Sequence, residues 1–236
     1  MIRSRLIAVL AVSIGLFAVL ATDMIPSAAA TDRPRKAEAA LKSLSRVSGG
    51  TMTLEWSLET GTPSRIGGRL SSKTNHSPAW VAVGFMNRYR ALYGIRDVQR
   101  ELRVEGVEQH ADGHNVYLRH MLFRTPVWED RLTVTLDKDG VVREVSGSFY
   151  PGLETKLNRI AMHSAYSERD AIRTALRHAS GELANEPAAE RYYLASRKGT
   201  PLVYIVTVPL RVPDRAEMFV IHSMTGKILD NQTTAR

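Results

Sequence analysis

The chain has 236 residues, of which 44% are hydrophobic, so a sizeable core is possible and wholesale disorder is excluded. It contains no cysteine, which excludes a disulfide framework, a thiol nucleophile and any cysteine-ligated zinc or iron–sulfur site. The net charge of +8 comes from basic residues that are scattered along the sequence without an aromatic-plus-basic RNA motif. We therefore interpret them as a solvated surface and expect no nucleic-acid partner.

The N-terminus has the three parts of a secretory signal peptide. Arg3 and Arg5 form a basic start, residues 6–21 carry no charge, and Ala28 and Ala30 are the small residues expected before a cleavage site. The apolar run of 16 residues is short for a bilayer span of about 20. An uncleaved signal anchor is the alternative, and both interpretations predict a secreted or cell-envelope location.

Cleavage after Ala30 would remove two arginines and one aspartate and lower the net charge to +7. The remaining charge would favour an acidic partner or an anionic surface. No later segment is apolar enough to span a bilayer, so we expect no stable membrane insertion after cleavage.

The first half of the chain predicts two helices and a strand between them. Residues 36–46 place apolar side chains on one helical face, and residues 52–58 indicate a strand. The second helix is capped by Ser77, has Pro78 at its first position and ends at Gly94. Its expected buried face consists of Ala82, Val83, Met86, Tyr89 and Tyr93.

Alternating apolar and polar residues then predict an antiparallel meander. One hairpin is expected from strands 101–109 and 115–123, and a second from strands 131–136 and 141–149. Residues 137–140 are typical of the turn in the second hairpin.

The second half of the chain repeats this order of a helix followed by antiparallel strands. Ser167 caps a helix and Asp170 follows three positions later, which resembles a capping box. The expected buried face of this helix consists of Ile172, Ala175, Leu176 and Ala179. Four strands are predicted after it, over residues 191–196, 202–208, 217–222 and 228–230.

These patterns predict an α+β protein with two successive units, each a helix packed on an antiparallel β-sheet. We predict a signal peptide over residues 1–30, an N-terminal helix and linker over 31–50, and a first domain over 51–153. A linker over 154–166 and a second domain over 167–236 complete the expected organisation.

Two histidines imitate a zinc motif. His110 and His114 have the four-residue spacing of the helical motif H-E-x-x-H. Position 111 is alanine, so the general base is missing, and Asp112 and Gly113 favour a hairpin turn over a helix. No third ligand follows at the expected spacing, so we interpret the pair as polar turn residues. We predict neither a metal nor a cofactor.

The other site patterns are equally incomplete. Asp137, Asp139 and Gly140 imitate part of a calcium loop, but the third Asp or Asn that should precede the glycine is missing. The sequence has no Gly-x-Ser-x-Gly elbow and no glycine-rich phosphate loop before a helix. We find no catalytic constellation and predict that the chain is not an enzyme.

Eight segments of the chain resemble conserved stretches of a known protein family. Residues 62–70 read TPSRIGGRL, and the other segments are residues 85–95, 115–120, 125–128, 136–140, 145–151, 167–171 and 218–229. The first six resemble the fungalysin/thermolysin propeptide domain of thermolysin-type zinc metalloproteases. The last two look like a PepSY domain, which follows it in zymogens of that family. The resemblance rests on the order and spacing of the segments and covers roughly residues 52–231.

In that family the pro-segment assists folding of the protease and inhibits it until cleavage. The resemblance therefore implies an exported, propeptide-like protein that inhibits a thermolysin-like metalloprotease or assists its folding. The chain ends at Arg236, about where a zymogen would enter its catalytic domain. Two alternatives are a truncated or split zymogen without its catalytic domain, and an envelope binding module unrelated to proteolysis.

We select the candidate protease contacts by their position in the sequence. Trp128 and Tyr150 are large aromatic residues within the family-like segments, although both would serve equally as sheet packing. The last strand and its tail would reach an active-site cleft as a pseudo-substrate. The tail consists of Asp230, Asn231, Gln232, Thr233, Thr234, Ala235 and Arg236. The chain departs from the family at residues 128–130, where a glycine is usual, and at His222, where an aspartate is frequent.

Overall fold

A computed structural model describes residues 35–212 and 214–235 of the chain. The predicted signal peptide, with Ala28 and Ala30, lies outside the described residues, as does Arg236. Within the described ranges, no helix is both long and apolar enough to cross a bilayer.

Five α-helices and eleven strands make up the described fold. The helices are α1 (Arg35–Val47), α2 (Pro78–Tyr89), α3 (Val98–Glu101), α4 (Leu153–Lys156) and α5 (Glu168–Leu176). The first six strands are β1 (Thr53–Trp56), β2 (Pro63–Gly67), β3 (Leu102–His110), β4 (Gly113–Leu122), β5 (Thr125–Asp137) and β6 (Val142–Gly147). The others are β7 (Glu182–Leu183), β8 (Ala188–Tyr193), β9 (Leu202–Val212), β10 (Arg215–His222) and β11 (Ile228–Ala235).

Helix α2 covers the first antiparallel sheet, in which the strands follow the order β1, β2, β6, β5, β4, β3. Pro78 occupies the first turn of α2, as predicted, but the α-helix gives way to a 3-10 turn at Arg90. Val81 and Phe85 join the predicted residues Ala82, Met86 and Tyr89 on the buried face. This face packs against inward-facing residues of β4, β5 and β6, including Val116, Leu118, Val134 and Val145.

Helix α5 covers a second antiparallel sheet, formed by β8, β9, β10 and β11 in that order. Ser167 caps α5 by accepting a hydrogen bond from the Asp170 N–H, as the capping box predicted. The prediction that Leu176 belongs to the buried face is wrong, because it is the last residue of the helix and is 38% exposed. Ala175 is buried as predicted, together with Ala171 and Thr174.

Strand β5 connects the two sheets. Most of β5 pairs with β4 and β6, while Val127 near its start forms a parallel bridge with Tyr193 of β8. A hydrophobic cluster spans this junction and joins Leu122 and Val127 to Tyr193 and Leu202. The α+β class is confirmed, and the described residues belong to one compact unit. The boundaries at residues 153 and 167 remain predictions.

Candidate functional site

Trp128 lies near the start of β5, in contact with the second sheet. Its ring centroid is 5.0 Å from that of Tyr192, and the two planes meet at 77°. It packs into an apolar cluster that we call the outer cluster, formed by Trp128, Tyr192, Leu194, Val203, Ile205, Met218, Val220 and Leu229. Successive strand residues face opposite sides, so the outer cluster lies on the sheet face opposite α5. Trp128 is only half-buried there, which leaves part of the indole open to a partner.

The backbone next to Trp128 is irregular on β5. Glu129 has a φ of 55°, a conformation that residues other than glycine seldom adopt. The register of β4 with β5 shifts between Arg119 and Met121, where β5 has the four residues 127–130 and β4 has only His120. The register that sets Arg119 opposite Arg131 places His120 opposite Asp130, and the two side chains meet inside the protein.

Asp130 and His120 form a buried pair. The Oδ2 atom of Asp130 lies 2.6 Å from Nδ1 of His120, and their side chains are 0% and 2% exposed. The His120 ring also stacks on Phe149, with centroids 4.1 Å apart and planes inclined by 23°. The second carboxylate oxygen, Oδ1, has no hydrogen-bond partner among the described residues.

Asp130 also positions Tyr150. The Tyr150 N–H donates to Asp130 Oδ2 at 3.0 Å, and its hydroxyl donates to Glu59. Burial raises the pKa of Tyr150, and the hydrogen bond to Glu59 raises it further, so the phenol keeps its proton at neutral pH. Of the two predicted aromatic contacts, Tyr150 is therefore held by Asp130, while Trp128 contacts Tyr192.

The predicted tail is an ordered strand. Residues 230–235 continue β11, and β10 pairs with it from Val220 opposite Asp230 to Arg215 opposite Ala235. The side chains from Asp230 to Thr233 are exposed, and the outer edge of β11 has no strand partner within residues 35–212 and 214–235. The predicted strand 228–230 was therefore too short. Leu229 belongs to the outer cluster, so the start of β11 and Trp128 share one apolar surface.

Tyr192 extends this surface toward the hairpin of the first sheet. Burial raises the pKa of Tyr192 to about 12, and a hydrogen bond to Glu190 at 2.7 Å adds to the effect. A cavity of about 480 Å³ opens beside it. Trp128, Arg119, Arg131 and Ser148 are among the residues around this opening. The surface around Trp128 is therefore concave and carries both apolar and basic groups.

The histidine pair flanks a hairpin turn, as the turn residues Asp112 and Gly113 predicted, but both histidines belong to strands. His110 ends β3 and His114 lies in β4, where it faces Gln109. The N–H of Asp112 donates to His110 Nδ1 at 3.3 Å, which is a local turn contact. In the part of the chain that the structure describes, no group of three or more His, Asp or Glu side chains is arranged to hold a metal.

The calcium-like residues form the predicted turn between β5 and β6. One carboxylate oxygen of Asp137 accepts the N–H groups of Asp139 at 2.9 Å and Val141 at 3.0 Å. The other accepts from Arg143 Nε at 2.7 Å. Burial opposes ionisation of Asp137, but these hydrogen bonds outweigh it and lower the pKa of the carboxyl group.

Comparison with known proteins shows a weak sequence similarity to a protease. No protein-family model matches the chain. The chain is 24% identical to bacillolysin from Bacillus cereus over 179 residues, which are 73% of this chain and 31% of bacillolysin. It therefore spans about a third of the length of this curated relative.

Two solved structures are similar in shape, at low identity. The C-terminal domain of Bacillus megaterium YpeB matches with a TM-score of 0.39 and 13% identity, covering 85% of this chain and 96% of that domain. A candidate lipoprotein from Clostridium difficile 630 matches with a TM-score of 0.26 and 10% identity. That match covers 64% of this chain and 90% of the other.

Proposed function

We propose that this chain is an exported, propeptide-like protein that binds a thermolysin-like zinc metalloprotease and acts as its inhibitor or folding assistant. The observation that carries the proposal is the similarity to bacillolysin over 179 residues that amount to only 31% of that protein. A match confined to one part of a protease fits a pro-segment, and it agrees with the propeptide-like and PepSY-like segments of the sequence. The proposal assigns the chain no reaction of its own.

The contact surface that we propose consists of the outer edge of β11 together with Trp128 and Tyr150. An edge strand presents a row of backbone N–H and C=O groups, which can pair with an extended segment lining a protease cleft. The exposed side chains of residues 230–233 are polar or charged and would not obstruct such pairing. Trp128 shares an apolar cluster with Leu229, so an aromatic anchor lies on the same surface as the strand.

An ordered strand suits an inhibitor for two physical reasons. β10 already holds β11 in an extended conformation, so binding costs less conformational entropy than ordering a free tail would. The same pairing restrains the backbone of β11 and would hinder the distortion that peptide cleavage requires. A strand of this kind occupies a substrate site while remaining a poor substrate.

The direct test uses the chain from residue 31 onward and bacillolysin. Hydrolysis of a small peptide substrate is followed at increasing concentrations of the chain, and the refolding yield of denatured bacillolysin is measured with and without it. We expect saturable inhibition, a higher refolding yield, or both. An unchanged rate and an unchanged yield at a large excess of the chain would rule the proposal out.

A further inference from the structure

A groove of about 390 Å³ runs along α2. Val47 at the end of α1 forms one wall, and residues 70–72 form another. The face of α2 that carries Trp80, Gly84 and Arg88 forms the floor. Each of these residues follows the previous one by four positions, so the three lie in one line along the helix.

Trp80 is an ordered but uncovered aromatic residue. Its side chain is 60% exposed, and Val47 across the groove is 39% exposed. The imidazole of His76 packs against the indole with ring centroids 4.1 Å apart, so the indole already has a defined position. A large aromatic group of this kind provides much contact area and loses little conformational entropy on binding.

Gly84 lies in the middle of α2 and is exposed. A glycine at such a position costs about 1 kcal/mol relative to alanine. A Cβ at Gly84 would meet nothing within 4 Å, so packing inside the described protein does not require the glycine. What the glycine provides is a notch between Trp80 and Arg88, through which a partner can approach the helix backbone closely.

Arg88 supplies the charge of the groove. It is the one charged residue among those that line it, and its side chain is exposed. Its guanidinium lies 5.8 Å from the centre of the Tyr89 ring, and no described carboxylate forms an ion pair with it. An arginine beside an apolar notch favours a carboxylate on whatever occupies that notch.

We propose that this groove, which we call the α2 groove, docks a segment of the partner protease that carries an apolar side chain and a carboxylate. The apolar side chain lies over Gly84 beside Trp80, and the carboxylate binds Arg88. The identity of the partner rests on the proposed function. The charge argues against a second copy of this chain as occupant, because each copy carries a net charge of +7 after the predicted cleavage.

Two substitutions test the groove without disturbing the core. Gly84→Gln fills the notch with a good helix former, and Arg88→Glu reverses the charge. We expect each to raise the Kd for bacillolysin at least about tenfold, as substitutions at the centre of an interface do. Arg90→Glu is the matched control, because it reverses an exposed charge two residues away and outside the groove; it leaves the Kd unchanged.

The outcomes separate the two proposals. If the unaltered chain binds bacillolysin and both groove variants bind it equally well, the α2 groove is not the docking site, while the proposed function stands. If the unaltered chain does not bind bacillolysin, the proposed function fails. The α2 groove is then tested separately, by measuring whether it binds a peptide with the predicted side chains.

The peptide experiment uses tryptophan fluorescence. The probes are a helical peptide that carries leucine and glutamate four residues apart and its counterpart with lysine in place of glutamate. We expect only the glutamate peptide to shift the emission, and the shift to vanish in Trp80→Phe and Arg88→Glu. Equal responses to both peptides, or none, overturn the proposal. Sedimentation of the unaltered chain and of Gly84→Gln tests for self-association. If the unaltered chain self-associates and Gly84→Gln does not, the occupant of the groove is a second copy of the chain, which also overturns the proposal.

Discussion

His120 and Asp130 lie on adjacent strands of one hairpin, and their side chains meet in the interior with Nδ1 and Oδ2 2.6 Å apart. Burying a carboxylate is costly unless it is paired and hydrogen-bonded. At Oδ2, Asp130 meets this requirement through His120 and the Tyr150 N–H, and it thereby connects β4, β5 and the segment after β6. Asp130 thereby holds the backbone of Tyr150, one of the two aromatic residues that we propose as protease contacts.

Replacing one member of this pair should be much more damaging than replacing both. We expect Asp130→Ala to lower the free energy of unfolding by about 3–5 kcal/mol, because the variant leaves His120 and the Tyr150 N–H without their acceptor. His120→Phe/Asp130→Leu should lose less, since an apolar pair avoids the unpaired buried group. Urea unfolding of both variants measures this. A loss of less than about 1 kcal/mol for Asp130→Ala would contradict the role given to the pair.

The His120–Asp130 pair illustrates what periodicity in the sequence cannot show. The two residues are ten positions apart, and the register that sets Arg119 opposite Arg131 places them directly opposite each other. That register requires β5 to have four residues, 127–130, where β4 has only His120, and Glu129 among them has a positive φ. This irregularity has no sequence signal, since none of residues 127–130 is a glycine.

Elements that depend on local pattern were predictable. Helices α1 and α2, the β3–β4 hairpin and the turn at Asp137 follow from spacing, capping and turn residues, and the structure agrees with them. Elements that depend on distant partners were predicted too short. β5 begins at Thr125 because Val127 reaches Tyr193, and β11 continues to Ala235 because β10 pairs with it. The candidate contacts Trp128, Tyr150 and the β11 tail remain predictions.

Asp137 should give the protein a pH-dependent contribution to stability. Its carboxylate accepts two backbone N–H groups and the Arg143 side chain, and its pKa lies below the ordinary value of 3.8. A lowered pKa in the folded state means stability that is present above the unfolded pKa and is lost as the pH falls through the folded pKa. We expect Asp137→Asn to cost about 1–2 kcal/mol at neutral pH and much less in strong acid.

Urea unfolding at several pH values from neutral to strongly acidic measures this difference. Asp139→Asn is the control, because Asp139 lies in the same turn and makes an exposed ion pair with Lys73 at 2.6 Å. Exposed ion pairs contribute little to the free energy of unfolding, so the control should change it by under about 1 kcal/mol. A constant difference between Asp137→Asn and the unaltered chain at every pH would show that the hydrogen-bond geometry, and not ionisation, is responsible.

Two glycines should respond in opposite ways to alanine. At Gly84 the added methyl group meets nothing within 4 Å, so Gly84→Ala should raise the free energy of unfolding by up to about 1 kcal/mol. At Gly140 the φ is 72° and a Cβ would lie 2.3 Å from the backbone oxygen of Thr74. We expect Gly140→Ala to cost at least about 2 kcal/mol. Thermal or urea unfolding of both variants compares them directly, and a stability loss for Gly84→Ala would indicate an unseen contact at that helix face.

The outer edge of β11 should matter for protease inhibition more than any other sheet edge. Charged side chains on an edge strand discourage the addition of another strand, so Asn231→Lys/Thr233→Lys should weaken inhibition of bacillolysin at least about tenfold. The substituted side chains are exposed, so pairing with β10 should persist and stability should change little. The matched control is Val107→Lys/Gln109→Lys, which adds the same number of lysines at exposed positions of β3, another edge strand. If both variants inhibit like the unaltered chain, β11 does not enter the cleft; if both lose inhibition equally, added positive charge alone accounts for the effect.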